Sequence, residues 1–397
     1  MTENTFITPS NGFGLYVHWP FCVSKCPYCD FNSHVRASID EERWLKAYLR
    51  ELDRIGQLTQ GRVLTSVFFG GGTPSLMSPH LVEAILNRLN DYWQISPTLE
   101  ITLEANPNSV EVEKFESFKS AGINRVSLGV QSLRDESLRF LGRAHKADEA
   151  LQALKVMTRI FDRYSFDLIY ARPNQTLEAW DQELREALAL AGQHLSLYQL
   201  TIEPGTAFYT AYQRGDWSLP DDETSFAMYD HTYTILKEHG LHLYEISNFA
   251  VPGSESRHNL LYWRYEDYAP LGPGAHGRLM LGGERFALKS FRAPETWLKS
   301  VEEGNGVEES LHLPKLDQFT EFVLMGLRLR EGINRARFMS DFGVSPEDVW
   351  KKEDLQTLYD EGLLAFSNSH FKATRKGLYA LNSLLSFLNE RSLYVPR

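Results

Sequence analysis

The segment YVHWPFCVSKCPYCDF (Tyr16–Phe31) contains all three cysteines of the chain, Cys22, Cys26 and Cys29, in a C-x3-C-x2-C spacing. Since no cysteine lies elsewhere in the 397 residues, a disulfide framework within the chain is excluded. Three inert buried thiols are one interpretation, but their clustering beside two prolines favours a bound metal ion or an iron–sulfur cluster. The segment therefore predicts a metal centre.

Two kinds of metal centre fit this spacing. Zinc prefers four ligands, and here the fourth would be His18, His34 or a residue far along the chain. A [4Fe-4S] cluster binds thiolates, and three of them leave one iron without a protein ligand. Such an iron can bind a small molecule, so the pattern favours a reactive cluster, with zinc as the alternative.

Strands and helices alternate over the first 200 residues. Helices with one apolar stripe, such as Trp44–Ile55, separate the strands. The predicted strands are Gly14–Trp19, Ser66–Phe69, Glu100–Glu104, Arg125–Gly129, Ser165–Tyr170 and His194–Ile202. Six such units predict a parallel α/β sheet with right-handed crossovers, and six are too few for a full eight-unit barrel.

Polar residues and glycines gather where these strands end. A triple glycine and Thr73 follow the second strand, Glu104 ends the third, Gln131 follows the fourth, and Asp167 lies in the fifth. Taken singly, each has an ordinary explanation as a turn or a strand end. Because ligands bind at the carboxyl ends of parallel strands, their joint placement with the cysteines predicts one site.

Several motifs in order resemble those of a known family. The cysteine segment and GGGTPS (Gly70–Ser75) are similar to the radical S-adenosylmethionine (SAM) superfamily, and more narrowly to the oxygen-independent coproporphyrinogen III oxidase family. The further matches are LEANP (Leu103–Pro107), RVSLGVQS (Arg125–Ser132), LGRAH (Leu141–His145), LSLYQLTIEPGT (Leu195–Thr206), RHNLLYW (Arg257–Trp263) and GPGAHG (Gly272–Gly277). The resemblance thus covers most of the chain.

The resemblance implies a partial (βα)6 barrel of the radical SAM type. It places a [4Fe-4S] cluster on the three cysteines, with SAM on the open iron. The implied SAM contacts are Tyr16, Gly71, Gly72, Thr73, Glu104, Gln131, Arg143 and Asp167. These residue types suit the ligand, because carboxylates attract its sulfonium and ammonium groups and an arginine attracts its carboxylate.

Within this family the sequence resembles the heme chaperone branch. The oxidase pattern has a further cysteine where this chain has Phe31, and a longer segment before the first strand. The H-N-x-x-Y-W hallmark of the chaperone branch is present as His258, Asn259, Tyr262 and Trp263. The resemblance implies that His258 contacts heme and that the two aromatic rings pack on the porphyrin. The alternatives are a core histidine at a helix start and, for the whole chain, the oxidase itself.

Two positions depart from the family pattern. Ser256 stands where relatives often have cysteine, which removes one thiolate ligand. The loop Ala171–Asn174 (ARPN) replaces the usual glycine-leucine-proline-glycine loop near the SAM site.

The remainder of the chain predicts two further parts. We expect a radical SAM barrel over residues 1–215, a barrel extension over 216–305, and a winged-helix-like α+β module over 306–397. The acidic stretch Val301–Ser310 is interpreted as a linker, and Leu378–Leu388 as a last amphipathic helix. The basic residues Lys372, Arg375 and Lys376 are interpreted as a solvated hairpin.

Composition excludes other classes of protein. There are 52 acidic and 41 basic residues, a formal net charge of −11, which argues against a protein that neutralises nucleic-acid phosphates. The sequence shows neither a secretory signal nor an apolar run of membrane-spanning length, so we expect a cytoplasmic protein. The expected partners are heme and recipient hemoproteins, with membrane-bound respiratory enzymes and a homodimer as open alternatives.

Overall fold

The computed structural model describes residues 12–36 and 38–396. Residues 1–11, which precede the first strand, lie outside the described residues. Within them, one sheet of twelve strands runs through most of the fold. Its strands in chain order are β1 Phe13–Trp19, β2 Val63–Gly71, β3 Gln94–Ala105, β4 Arg125–Gln131, β5 Arg163–Tyr170, β6 His194–Gln199, β7 His242–Leu243, β8 Asn248–Ala250, β9 Asp267–Leu271, β10 His276–Leu281, β11 Glu284–Ser290 and β12 Val307–His312.

Strands β1 to β6 lie side by side in chain order, and all five of their pairings are parallel. The helices of five or more residues up to the end of this sheet are α1 Glu41–Leu58, α2 Pro79–Arg88, α3 Phe115–Ala121, α4 Asp135–Phe140, α5 Ala147–Ile160, α6 Leu177–Leu188, α7 Ala207–Gln213, α8 Asp222–Glu238, α9 Arg257–Trp263 and α10 Pro294–Glu303. The six predicted βα units are therefore confirmed, and so is the α/β fold class.

Helix α1 shows why the crossovers fold as they do. Its N-cap residue, Asp40, accepts a hydrogen bond from the Arg43 N–H (3.1 Å). Its apolar stripe, which includes Trp44, Tyr48 and Leu52, is buried against the sheet. The core thus lies between the sheet and its helices.

The two faces of the barrel strands differ in chemistry because side chains alternate along a strand. In β1, Leu15 and Val17 are fully buried in the core beneath the helices. Between them, Tyr16 points to the other face, towards Phe68 of β2 (ring centroids 6.3 Å apart). This inner face, which we call the lumen, carries the polar residues of the six strands.

The sheet continues beyond the six predicted strands on both sides. Strand β9 pairs with β1 in parallel, and β10, β11 and β12 follow it in antiparallel order. On the other side, β8 pairs with β6 and β7 with β8, both antiparallel.

The linker prediction is wrong. Val301–Glu303 ends helix α10, and Val307–Ser310 belongs to β12, which pairs with β11. Because β12 lies at the edge of the sheet, its side chains are mostly exposed, and an exposed acidic strand has the composition of a linker. The predicted start of a last module at residue 306 thus precedes a strand of the main sheet.

The last part of the chain is a small α+β unit. Its helices of five or more residues are α11 Lys315–Gly326, α12 Arg335–Phe342, α13 Lys352–Asp360, α14 Arg375–Tyr379 and α15 Leu381–Glu390, and its three-stranded sheet consists of Ile333–Asn334, Leu364–Phe366 and His370–Ala373. The predicted last helix is therefore divided, at Ala380, into α14 and α15.

This unit packs on helix α8 of the barrel. Arg375 donates a hydrogen bond to the backbone carbonyl of Asp230 (2.8 Å), and the rings of Tyr379 and Phe226 lie 4.3 Å apart. No helix in the described part of the chain combines the length and the apolar character that crossing a bilayer requires.

Candidate functional site

The three cysteines lie on the loop that follows β1. Their thiols are free and half-buried. The Cys29 N–H donates to the Cys26 carbonyl (3.1 Å), which turns the loop between these two residues. A short parallel pairing of Phe21–Cys22 with His34–Val35 closes the loop at its base. The loop therefore presents three sulfur atoms from one short segment.

Two other segments direct hydrogen-bond donors at these sulfurs. The Thr73 hydroxyl donates to Cys22 Sγ (3.4 Å), and Arg143 Nη1 donates to Cys26 Sγ (3.4 Å). Burial raises the pKa of the Cys22 thiol, and the nearby thiols of Cys29 and Cys26 raise it further. The sulfurs thus lie near one another, with donors that would stabilise negative charge on them.

The donor set fits an iron–sulfur cluster better than a single zinc ion. Among the described residues, three or more His, Cys, Asp or Glu side chains nowhere converge as the ligands of one metal ion do. Of the two histidines considered as a fourth zinc ligand, His18 shares hydrogen bonds with Tyr16 and the Asn32 carbonyl (2.9 Å each). His34 shares one with Asn32 Oδ1 (3.1 Å). The three thiols of one loop are therefore the candidate ligands, and a cluster spreads its ligands over several irons.

The glycine turn after β2 packs directly under the cysteine loop. The Gly72 N–H donates to the Trp19 carbonyl (2.7 Å), and the Thr73 N–H donates to the Phe21 carbonyl (2.8 Å). Gly71 has φ +112°, and a Cβ there would lie 2.5 Å from the His18 ring. Glycine is therefore required at this turn by both backbone conformation and space.

Two carboxylates face the lumen beside this turn. Glu104 accepts a hydrogen bond from the Gly71 N–H (3.2 Å). Burial, followed by the charge of Asp167, raises the pKa of Glu104 to about 8, and burial raises the pKa of Asp167 to about 6. Asp167 accepts a hydrogen bond from Ser127 (3.3 Å). Two neighbouring, half-buried carboxylates fit a positively charged ligand.

Arg143 carries an unsatisfied donor in the same region. Its Nη2 donates to the Gly129 carbonyl (2.9 Å) and to Asn106. Its Nε is buried without a hydrogen-bond partner among the described residues. Gln131 follows Gly129 at the end of β4 in a left-handed conformation, with φ 69°. An orphaned buried donor of this kind is expected where a ligand completes the site.

The sequence-predicted SAM residues therefore meet at one rim of the barrel. Tyr16 shares a hydrogen bond with His18, and burial and the Glu104 charge raise its pKa. Asn106, which the sequence analysis did not single out, donates to the Thr73 hydroxyl (3.2 Å) and accepts from Arg143. Asn106 lies inside the LEANP motif, and this position is the feature of the sequence that could have identified it. The carboxylates, the arginine and the glycine turn fit SAM.

His258 lies deeper in the lumen, at the start of α9. Only 1% of its surface is exposed. Its Nδ1 shares a hydrogen bond with Ser66 Oγ and its Nε2 with the Tyr262 hydroxyl (2.8 Å each). Its ring stacks on Phe68, with centroids 5.1 Å apart. Burial, and then the charge of Arg125, lowers the pKa of His258 to about 3. Heme ligation by His258 would therefore require one of these hydrogen bonds to break.

The other motif residues of α9 face different neighbours. Tyr262 contacts Tyr268 inside the lumen (centroids 4.5 Å apart), whereas Trp263 lies under the guanidinium of Arg328 (5.7 Å). Ser256 caps the helix, since its hydroxyl accepts from the Asn259 N–H (3.3 Å). A serine at this position is thus explained by helix capping.

Comparison with families and curated proteins finds similarity along nearly the whole chain. The family described as "Radical SAM superfamily" matches residues 16–187, and the "HemN C-terminal domain" matches residues 313–380. The chain is 38% identical to "Heme chaperone HemW" of Haemophilus influenzae, covering 95% of this chain and 98% of that protein. It is 37% identical to "Heme chaperone HemW" of Escherichia coli, again covering 95% and 98%.

A relative from an animal and a solved structure extend this comparison. The chain is 36% identical to "Radical S-adenosyl methionine domain-containing protein 1, mitochondrial" of Danio rerio, covering 94% of this chain and 85% of that protein. The solved coproporphyrinogen III oxidase (HemN) of Escherichia coli superposes with a TM-score of 0.79 at 22% identity, covering 96% of this chain and 91% of that one. At that identity the superposition establishes the fold.

Proposed function

The chain belongs to the radical SAM superfamily and, within it, to the family of the HemW heme chaperones, and from this membership we propose that it binds heme and transfers it to recipient hemoproteins. The observation that carries the proposal is 37–38% identity to two such chaperones over 95% of the chain. The family implies a [4Fe-4S] cluster and SAM.

The geometry of the rim supports a cluster and SAM beside the heme function. Cys22, Cys26 and Cys29 would hold the cluster, and the open iron would take SAM. When bound, the cluster and SAM would together supply one-electron radical chemistry. The chain's own part is to bind and orient: Glu104 and Asp167 offer negative charge to the sulfonium and ammonium groups. The remaining proposed SAM contacts are Tyr16, Gly71, Gly72, Thr73, Gln131 and Arg143.

The heme contact is proposed at His258, inside the same lumen. Imidazole is a common axial ligand of heme iron, and burial keeps this imidazole neutral, as ligation requires. The proposed recipients are hemoproteins, including respiratory enzymes at a membrane, and the proposed location is the cytoplasm. The division of the chain at residues 215/216 and a homodimer also remain proposals.

The test uses the full chain, reconstituted with iron and sulfide under anaerobic conditions. Heme is titrated in and followed by its absorption spectrum, and the loaded protein is then mixed with a heme-free b-type hemoprotein. We expect stoichiometric heme binding and transfer of heme to the acceptor. In parallel, the protein is incubated with coproporphyrinogen, SAM and a reductant. Formation of protoporphyrinogen, or no heme binding at all, would overturn the proposal, and the former would support the oxidase.

A further inference from the structure

The lumen contains a layer of polar residues below the rim. The register places Thr102 of β3 beside Arg125 of β4, and Arg125 beside Arg163 of β5. Two residues further along these strands, Glu104, Ser127 and Ser165 form the next layer. The layer of Thr102, Arg125 and Arg163 lies between the proposed SAM site above and helix α9 below.

Arg125 differs from the other cation in its layer. Arg163 is paired with Glu100, with Nη1 2.8 Å from Oε2, and Glu100 also accepts the backbone N–H groups of Arg257 and His258. Arg125 is only 3% exposed. In the described part of the chain its guanidinium makes one hydrogen bond, to Thr102 Oγ1 (3.4 Å), and no carboxylate oxygen lies within 4.0 Å of it. Buried charges are normally paired with an opposite charge. Arg125 has no such partner among the described residues.

The titratable groups near Arg125 include two imidazoles and two carboxylates. Its charge helps to lower the pKa of both His194 and His258, after burial as the main cause, so it lies near both imidazoles. Both rings are already bonded: His194 shares hydrogen bonds with Ser165 (2.7 Å) and Tyr244 (2.9 Å). Glu104 and Asp167 also feel its charge, but they lie at the rim. The proposed function assigns them to SAM.

The lumen is accessible at the rim, above this layer. Tyr198 of β6 points inward, since Leu197 before it is buried in the core under the helices. It nevertheless keeps 40% of its surface accessible. Its pKa is raised by burial and then by Asp167 and Glu245, which places it among the lumen groups. Tyr198 lies beside Ile169, two residues beyond Asp167 on β5, so this accessible surface is at the rim of the barrel.

We propose that Arg125 is a carboxylate-binding residue inside the barrel, and that its ligand is a propionate side chain of the bound tetrapyrrole. The inference rests on the proposed heme function and adds to it the group by which the ligand is selected. A guanidinium matches the two oxygens of a carboxylate with two parallel N–H donors. Pairing with a propionate would give the buried charge the partner that the described residues do not provide.

The test compares heme with heme dimethyl ester, in which both propionates are masked. Both ligands are titrated into the anaerobic, cluster-loaded full chain in the same solvent mixture. We expect wild-type protein to bind heme at least tenfold more tightly than the ester. Arg125→Gln should lose this preference by weakening heme binding only, and Arg125→Lys, which keeps the charge without the fork, should retain part of it.

Arg163→Lys is the matched control, because its charge in the same layer is already paired with Glu100, and it should keep the wild-type preference. Cluster content and the melting temperature check that each variant is folded. Equal binding of heme and ester by wild-type protein would overturn this inference and leave the heme function standing. Binding of neither would instead overturn the heme function. Since the ester comparison needs no variant, a variant that fails to fold does not remove the test.

Discussion

The two motifs that point to cofactors are built in opposite ways. The cysteine loop is open: its thiols are half-buried, and Val23 and Phe31 beside them are 66% and 56% exposed. The α9 motif is closed, because His258 is buried with both ring nitrogens hydrogen-bonded. The loop can accept a ligand as it stands, whereas the helix must first give up an existing contact. Substitutions in the cysteine loop should therefore affect mainly ligand binding, and substitutions in the α9 motif mainly stability.

The largest expected effect is on the cluster. Cys26→Ala removes one of three thiolate ligands, and we expect complete loss of bound iron and acid-labile sulfide after reconstitution. The free energy of unfolding of the cluster-free protein should change by less than about 1 kcal/mol, because the side chain is only half-buried. Iron and sulfide assays and urea unfolding measure the two quantities. His258→Ala serves as control and should keep its cluster; a full cluster in Cys26→Ala would contradict the cysteine assignment.

The opposite result is expected for His258. Replacing it by alanine leaves a cavity against Phe68 and removes the hydrogen bonds of Ser66 and Tyr262. We expect the free energy of unfolding to fall by about 3 kcal/mol, measured by urea unfolding of the cluster-free protein. The exposed His80→Ala is the matched control, with a change below about 0.5 kcal/mol. An equally small change at both positions would show that the α9 motif is not closed.

The sequence predicts the cysteine loop and the rim better than the α9 motif, because the contacts of the α9 motif join residues far apart along the chain. The rim was predictable, because parallel strands bring their carboxyl ends together and each candidate lay at such an end. The state of His258 was not, since Ser66 lies 192 residues away along the chain. Arg125 was hidden inside a motif quoted for its resemblance, and nothing local shows that its charge lacks a partner.

The sequence pattern also failed to predict an edge strand and the division of the last helix. The strand Val307–His312 has the exposed, acidic composition of a linker because it pairs on one side only. The last helix is divided at Ala380, where neither glycine nor proline marks an end. Tertiary packing decides both features.

A smaller effect should appear in the pH dependence of SAM binding at the open rim. The pKa of Glu104 is about 8 in the ligand-free protein, so below that pH its carboxyl group is protonated and must lose a proton to pair with a cation. Affinity should therefore rise as pH rises towards 8 and level off above it. Between pH 7 and pH 8 we expect wild-type affinity to rise about fivefold more than that of Glu104→Gln.

Calorimetric titration of SAM at several pH values measures this difference, and the glutamine variant corrects for titration of SAM itself. Buffers of different ionisation enthalpy should also report proton release on binding by wild-type protein below pH 8, and less release by the variant. Parallel pH profiles for the two proteins would show that Glu104 does not face the cation.

The smallest effect concerns backbone conformation in the loop that departs from the family pattern. Ala171 and Asn174 occupy the positions of the two usual glycines, and both keep left-handed backbones, with φ 54° and 59°. Both positions thus have the backbone conformation that glycine adopts most easily. Alanine is disfavoured there by its Cβ, whereas asparagine tolerates this region.

Ala171→Gly should therefore raise the free energy of unfolding by about 1 kcal/mol, because relief of the Cβ contact outweighs the added freedom of the unfolded chain. Asn174→Gly should raise it by clearly less, because asparagine already tolerates this backbone conformation. The midpoint of urea unfolding measures both. Ala153→Gly, inside helix α5, is the opposite control and should be destabilised. Destabilisation by Ala171→Gly would mean that contacts of the Ala171 methyl group, which is buried in the core, outweigh the backbone strain. The rim would then be held by packing, as the α9 motif is, and the contrast between the two regions would be confined to the cysteine loop.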